Sequence, residues 1–172
     1  MKAKLNHHAV CLGVQTSAGL FVAYYSSDGL SGLNFPLTRK TDVEDSAKTS
    51  AGIRAWHRLT AAAVKNILAG KAAGELPPLD VSCGTEFQRS VWSELRRIKP
   101  GRTQSYGEVA KSIGNKKAVR AVGGACGANP IPLIIPCHRV LAANRKIGGF
   151  SGGMDWKRKL LAVEGIVLEK SE

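Results

Sequence analysis

No two cysteines in this chain are spaced as a C-x-x-C pair. Cys11, Cys83, Cys126 and Cys137 lie far apart, so their spacing offers neither a zinc site nor a disulfide framework. Unpaired thiols fit a reducing compartment, and a cytoplasmic protein is expected. No apolar run approaches the length of a membrane span. The first eight residues, Met-Lys-Ala-Lys-Leu-Asn-His-His, lack the apolar stretch and cleavage site of a secretory leader. Internal repeats are absent. Acidic residues are scarce, 13 against 25 Lys and Arg, which gives a net charge of +12. The imbalance is uneven: residues 1–83 carry +3 and residues 84–172 carry +9. A half this basic points to a polyanionic partner, nucleic acid ahead of a membrane surface. A charge that merely keeps the chain soluble is the plain alternative.

What is present suffices for a core: 172 residues, 44% of them hydrophobic, make one sizeable domain or a small one plus a standard one. Residues 9–16, 19–25 and 29–35 read as three short strands, with Ser17-Ala18-Gly19 and Ser26-Ser27-Asp28-Gly29 as turns. Residues 38–50 are polar and read as a loop. Residues 51–69 read as a helix with Ile53, Trp56, Thr60, Val64, Ile67 and Leu68 on one face and Gly70 as its stop. His7, His8, Cys11 and His57 could be imagined as metal ligands, but a double histidine near a terminus is more often solvated; no metal is expected. Gly74-Glu75-Leu76-Pro77-Pro78 reads as a linker.

In the basic half, Thr85-Glu86-Phe87-Gln88 is a capping box opening a helix in which Phe87, Val91, Leu95 and Ile98 recur at helical spacing before Pro100-Gly101. A second box, Ser105-Tyr106-Gly107-Glu108, opens a short helix that stops at Gly114. After a turn at Asn115-Lys116, a third helix runs from Lys117 to Cys126, and the pair reads as a helix-turn-helix. Beyond Arg120 this third helix is nearly all small residues. It has no polar side chains for the major groove, but lets a backbone approach a minor-groove wall or, equally, a neighbouring helix. Residues 154–164 form a last helix with Gly165 as its C-cap. Glu164 sits in its last turn, against the helix dipole, so it either orients a histidine or is a frayed surface residue.

Pro136-Cys137-His138 carries the chemistry. Pro136 restricts the approach to Cys137, and an adjacent imidazole can take the proton that a thiol must lose to act as a nucleophile. The bland alternative is a buried cysteine beside a surface histidine. Gly148-Gly149-Phe150-Ser151-Gly152-Gly153 downstream is neither a Walker loop nor a dinucleotide fingerprint, and reads as a wall over a flat ligand or an ordinary turn.

Residues 84–164 resemble the O6-alkylguanine-DNA alkyltransferases almost throughout. The resemblance rests on Gly84-Thr85 with Phe87-Gln88 and Val91-Trp92, Ser105-Tyr106-Gly107, Arg120-Ala121-Val122-Gly123, Asn129-Pro130, Pro136-Cys137-His138-Arg139-Val140, Gly149-Phe150-Ser151-Gly152-Gly153, and Leu160-Leu161 with Glu164. The first half is similar more loosely, through Thr16, Gly19, Gly29-Leu30, Leu33 and Phe35.

The resemblance implies an α+β protein: a small ribonuclease-H-like sheet domain, residues 1–80, and a helical DNA-binding and alkyl-transfer domain with a helix-turn-helix, residues 81–172. It implies a monomer that repairs alkylated double-stranded DNA without a cofactor. One alkyl group would move from the O6 of a flipped guanine, with O4-alkylthymine left open as a second substrate, to Cys137. His138 would take the thiol proton through a water, and Glu164 would orient His138. Asn129 would fix the turn before the cysteine loop, and Tyr106 would bond the base. Cys137, Val140 and Ser151 would read the base edge through their backbones, with Phe150 in the pocket wall. Thr103, Ser105, Arg120, Ala121 and Gly123 would meet the DNA, Arg120 filling the gap in the stack.

This chain departs from the family's pattern at Phe150, where many members carry Tyr, at Cys126 and at Lys99-Pro100. The zinc ligand set of some members is not found. Two rivals remain: a damage sensor that flags lesions, whose kind lacks the cysteine, and a thiol hydrolase, which would need an oxyanion hole.

Overall fold

The computed structural model describes residues 10–36 and 43–168. His7, His8 and the first part of the polar stretch at 38–50 lie outside the described residues. Strands β1 (Val10–Thr16), β2 (Gly19–Tyr25) and β3 (Leu30–Asn34) form an antiparallel meander in the order β1-β2-β3. The first turn is closed by Thr16, whose hydroxyl donates to the Gly19 carbonyl at 2.7 Å and accepts from the Ala18 N–H at 3.1 Å. Gly19 takes a φ of +116° there, a conformation that L side chains rarely adopt.

Strand alternation buries Leu12, Val14, Phe21, Ala23 and Tyr25 on one face. Helix α1 (Ala51–Leu68) contributes Ala63, Val64 and Ile67 to the same core. Its first turn is capped by Ser50, whose hydroxyl accepts from the Ile53 N–H. Each large apolar side chain withdrawn from water here is worth about 1.5–3 kcal/mol.

The stretch after the expected linker is knitted to the sheet. Pro78 accepts from the Leu30 N–H at 2.8 Å, Asp80 N–H donates to the Leu30 carbonyl at 2.9 Å, and Ser26 donates to the Asp80 carboxylate at 2.6 Å. Leu33 N–H then donates to the Pro130 carbonyl at 2.9 Å, and buried residues from both halves belong to one hydrophobic cluster.

Helix α2 (Glu86–Leu95) opens with the expected capping box, both reciprocal bonds present. It ends at Leu95, three residues before the expected Ile98, because the chain tightens into i→i+3 bonds from Arg97 to Glu94 and from Ile98 to Leu95. Ile98 stays buried all the same. The Trp92 indole N–H donates to the Ala125 carbonyl at 2.8 Å, which joins α2 to α4. Gly84 is required beside it: a Cβ would lie 2.3 Å from the Trp92 ring.

A two-residue strand, β4 (Gln104–Ser105), leads into α3 (Tyr106–Ser112), again through a complete capping box. Helix α4 (Val119–Gly127) begins two residues later than the sequence periodicity predicts, since Ala118 is still held in a turn by Asn115 and supplies no side-chain cap. The chain from Asn129 to Leu141 is buried at every position, ending in a 3-10 turn, Cys137–Arg139, and β5 (Val140–Leu141), which pairs in parallel with β4. Helix α5 (Met154–Val163) stops at Gly165, φ +75°, with bonds from Gly165 N–H to Ala162 and from Ile166 N–H to Leu161 that form a Schellman motif. This stop sets the position of Glu164.

Candidate active site

Cys137 is 3% exposed and lies at a cavity of about 400 Å³. Tyr106 of α3 lines the cavity, as do Gly123, Cys126 and Gly127 of α4 and the stretch Gly149–Ser151. Burial pushes the Cys137 thiol up to about 11, and two neighbours work against that. The Asn129 side-chain N–H points at Sγ from 3.1 Å, and the Lys157 ammonium supplies positive charge. Both favour the thiolate once the proton has left.

Asn129 does more than touch sulfur. Its Nδ2 also donates to the Ile135 carbonyl at 2.8 Å, and its Oδ1 accepts from the Ile131 N–H at 3.0 Å. One amide therefore closes the loop that presents Cys137, with all its bonds inside the protein.

His138 is fully buried, and burial lowers its pKa. It is therefore a neutral ring near pH 7. Its Nε2 lies 3.0 Å from Glu164 Oε1. Burial would raise Glu164, but bonds from His138 and Arg139 outweigh it and hold the carboxyl down at about 2. An ionised carboxylate can only accept, so Nε2 carries the ring proton and donates it. The lone pair is then on Nδ1, which is buried and has no hydrogen-bond partner among the described residues. The ring is thus poised as a base at Nδ1.

Arg139 completes the group. Its Nε lies 3.1 Å from both Glu164 oxygens and its Nη2 2.8 Å from Oε1, while Nη1 donates to the Ile98 carbonyl at 2.5 Å. Glu164 also accepts from the Gly101 N–H at 3.2 Å. These donors offset the unfavourable placement of a carboxylate at a helix C-terminus.

Lys157 is the second charged residue that sequence reasoning missed. It is fully buried, donates to the Val140 carbonyl at 2.6 Å and the Gly149 carbonyl at 3.2 Å, and burial pushes its ammonium down to about 8. It ties the cysteine loop to the glycine wall. A signal existed: Lys157 shares an i, i+3, i+4 face with Leu160 and Leu161, where an apolar residue is expected. Arg139 stood in an apolar stretch in the same way.

The remaining expected site residues divide into groups. Tyr106, Gly123, Phe150 and Ser151 meet Cys137 at the cavity. The Tyr106 hydroxyl lies against Gly148, φ +65°, where a Cβ would sit 3.1 Å from it. Val140 is buried outside that lining, its carbonyl engaged by Lys157. Arg120 and Ala121 are exposed on α4. Thr103 and Ser105 border a second hollow of about 290 Å³ with Asn144 and Arg145, and the Ser105 hydroxyl is occupied as the α3 cap. Cys126, noted in the sequence only as a departure, shares the Cys137 cavity, and burial pushes its thiol to about 12. His57 faces Tyr25, whose hydroxyl is 3.0 Å from Nδ1. Among the described residues no group of three His, Cys, Asp or Glu side chains is arranged to hold a metal ion, and no helix is long and apolar enough to cross a membrane.

Comparison with known proteins converges on one family. The model for the DNA-binding domain of 6-O-methylguanine DNA methyltransferase matches residues 86–166. A methylated-DNA–protein-cysteine methyltransferase of Methanosarcina acetivorans is 55% identical over 96 residues, which are 54% of this chain and 62% of that relative's length. The crystal structure of Mycobacterium tuberculosis OGT in complex with DNA superposes with a TM-score of 0.71 at 34% identity, covering 90% of this chain and 91% of that one. An O6-methylguanine DNA methyltransferase from Methanococcus jannaschii is similar at 26% identity and a TM-score of 0.62, covering 94% and 97%.

Proposed function

The chain belongs to the O6-methylguanine DNA methyltransferase family, and from that membership we propose that it repairs DNA by moving an alkyl group from guanine O6 to Cys137. One observation carries the reading: a buried thiol at the cavity, next in sequence to a histidine whose protonated nitrogen is held by an ionised glutamate. The Cys137 proton passes, through a water, to Nδ1 of His138, and the imidazolium is stabilised by Glu164. The thiolate then attacks the alkyl carbon. A sulfur–carbon bond forms and the carbon–O6 bond breaks, its electron pair leaving with guanine, which Tyr106 helps to reprotonate. The product is a thioether that no group at the site can expel, so each chain acts once.

A thiolate cannot reach an O6 substituent inside a stacked duplex, so the base must be extruded into the cavity. Helices α3 and α4 serve as the helix-turn-helix. The small residues of α4 lie against the minor groove, and Arg120 enters the stack. Thr103, Ser105, Ala121 and Gly123 meet the DNA beside it. Val140, Phe150 and Ser151 hold the base. Residues 1–80 form the ribonuclease-H-like sheet domain and residues 81–172 the DNA-binding, alkyl-transferring one. The protein acts as a cytoplasmic monomer, and O4-alkylthymine is a candidate second substrate. The chemistry needs no metal or cofactor.

The test is mass spectrometry after mixing with a duplex oligonucleotide containing O6-methylguanine. One methyl per chain on the Cys137 peptide is expected. Multiple turnovers, or label on Cys11, Cys83 or Cys126 instead, would refute the reading.

A further inference from the structure

The wall of the cysteine cavity is not carried by the C-terminal half alone. Phe150 lines the cavity and meets Phe35 edge to face, with ring centroids 5.6 Å apart at 72°. Phe35 directly follows β3 and is 8% exposed. It is also held by Trp156 of α5, at 4.9 Å, and by Phe21 of β2, at 5.6 Å. Gly152 belongs to the same contact. A Cβ there would lie 2.4 Å from the Phe35 ring and 2.8 Å from the Phe150 ring, so glycine is what lets the two rings close. The strand before Phe35 also reaches the far end of the cysteine loop, through the Leu33 N–H bond to the Pro130 carbonyl.

We propose that the N-terminal sheet sets the width of the base cavity through Phe35, a positioning residue that holds Phe150 in place and so selects which O6 substituents the cavity admits. The inference rests on the alkyl-transfer reading above. Phe35 does not line the cavity itself. Its influence passes through one aromatic contact, which joins Phe150 to the residue that follows β3. Interiors are packed closely enough that removing a ring on one side of such a wall shifts the ring on the other.

The experiment uses the full chain and duplex oligonucleotides that differ only in carrying O6-methylguanine or O6-benzylguanine, so that DNA contacts cancel. The reading is the benzyl-to-methyl ratio of second-order reaction rates. Phe35→Leu, which keeps an apolar side chain but removes the ring, lets Phe150 relax away from the cavity and should raise the ratio about tenfold, the scale of a change of one or two methylenes in a pocket. Gly152→Ala sets a methyl against both rings, wedges Phe150 away from Phe35 toward the cavity and should lower it. A purely structural role would lower the melting temperature and slow both substrates alike, so an unchanged ratio, or shifts opposite to these, overturns the proposal. If Phe35→Leu does not fold, Gly152→Ala decides alone by the same criterion. A wild-type chain that reacts with neither oligonucleotide would instead refute the alkyl-transfer reading before any variant is compared.

Discussion

Glu164 Oε1 lies 3.0 Å from His138 Nε2, across 26 positions of sequence, with both side chains withdrawn from water. The carboxylate fixes which ring nitrogen carries the proton and leaves the lone pair on Nδ1. It is itself held by Arg139, the next residue in the chain after the histidine it orients.

Replacing Glu164 with Gln removes the negative charge that stabilises the imidazolium. Alkyl transfer should slow by about a hundredfold, the scale of a general base effect, and the apparent pKa of thiol alkylation should rise. Iodoacetamide reactivity of Cys137 against pH checks this. A profile identical to wild type would leave Glu164 with a purely structural part.

Arg139→Met leaves the Glu164 carboxylate short of its main partner and the Ile98 carbonyl short of a donor. Breaking one side of a buried ion pair costs about 3–5 kcal/mol. Urea unfolding should show a loss of that order. A loss below about 1 kcal/mol, the range of exposed pairs, would mean the pair is effectively solvated.

Acid should weaken the fold in two stages. His138 has a lowered folded pKa, so below its ordinary 6.5 the unfolded chain takes up the proton first and stability starts to fall. Glu164 is held at about 2 against an ordinary 4.5, so its contribution is fully present above 4.5 and is lost as pH falls toward 2. Melting temperatures of wild type and Glu164→Gln should differ at pH 6 and converge near pH 2. A constant difference would contradict the assignment.

Affinity for undamaged DNA should fall steeply with salt. Lys111, Lys116 and Lys117 are exposed along α3 and the turn after it. If these three meet phosphates, the log–log slope should be about −2 to −3, from about −0.9 per phosphate. Fluorescence anisotropy across a salt series measures it, and a flat response would place the DNA elsewhere.

Arg120→Ala separates flipping from chemistry. A side chain filling the gap left by the base offsets part of the few kcal/mol that extrusion costs, so losing about 2 kcal/mol slows duplex repair roughly thirtyfold. Reaction with free O6-benzylguanine, which needs no flipping, should be nearly unchanged. Equal losses on both would show that Arg120 supports the fold instead.

Local elements were legible because their causes are local. Two capping boxes, the glycine stops and the alternation of the strands each depend on neighbours within a few residues, and each is present. The ends of α2 and α4 differed by two or three positions because a tightened last turn and a missing cap carry no clear mark in the sequence. Pro136-Cys137-His138 marked the buried thiol at the cavity and the histidine bonded to Glu164, and the charge of Glu164 at a helix end hinted at a partner without naming it.

The sequence by itself determined the strand and helix pattern, the basic half and the candidate nucleophile Cys137, since these follow from periodicity, charge and side-chain chemistry. Only the tertiary structure decided what stands around that cysteine. Arg139 and Lys157 look like surface cations in a sequence, but burial makes each an interior donor with fixed acceptors. Phe35 reads as the end of a strand, but packing sets it against Phe150 more than a hundred residues away. Such pairings depend on which buried groups meet once the core closes. Burial raises the thiol of Cys137, and the donors around Glu164 lower its carboxyl, through contacts that exist only in the folded chain.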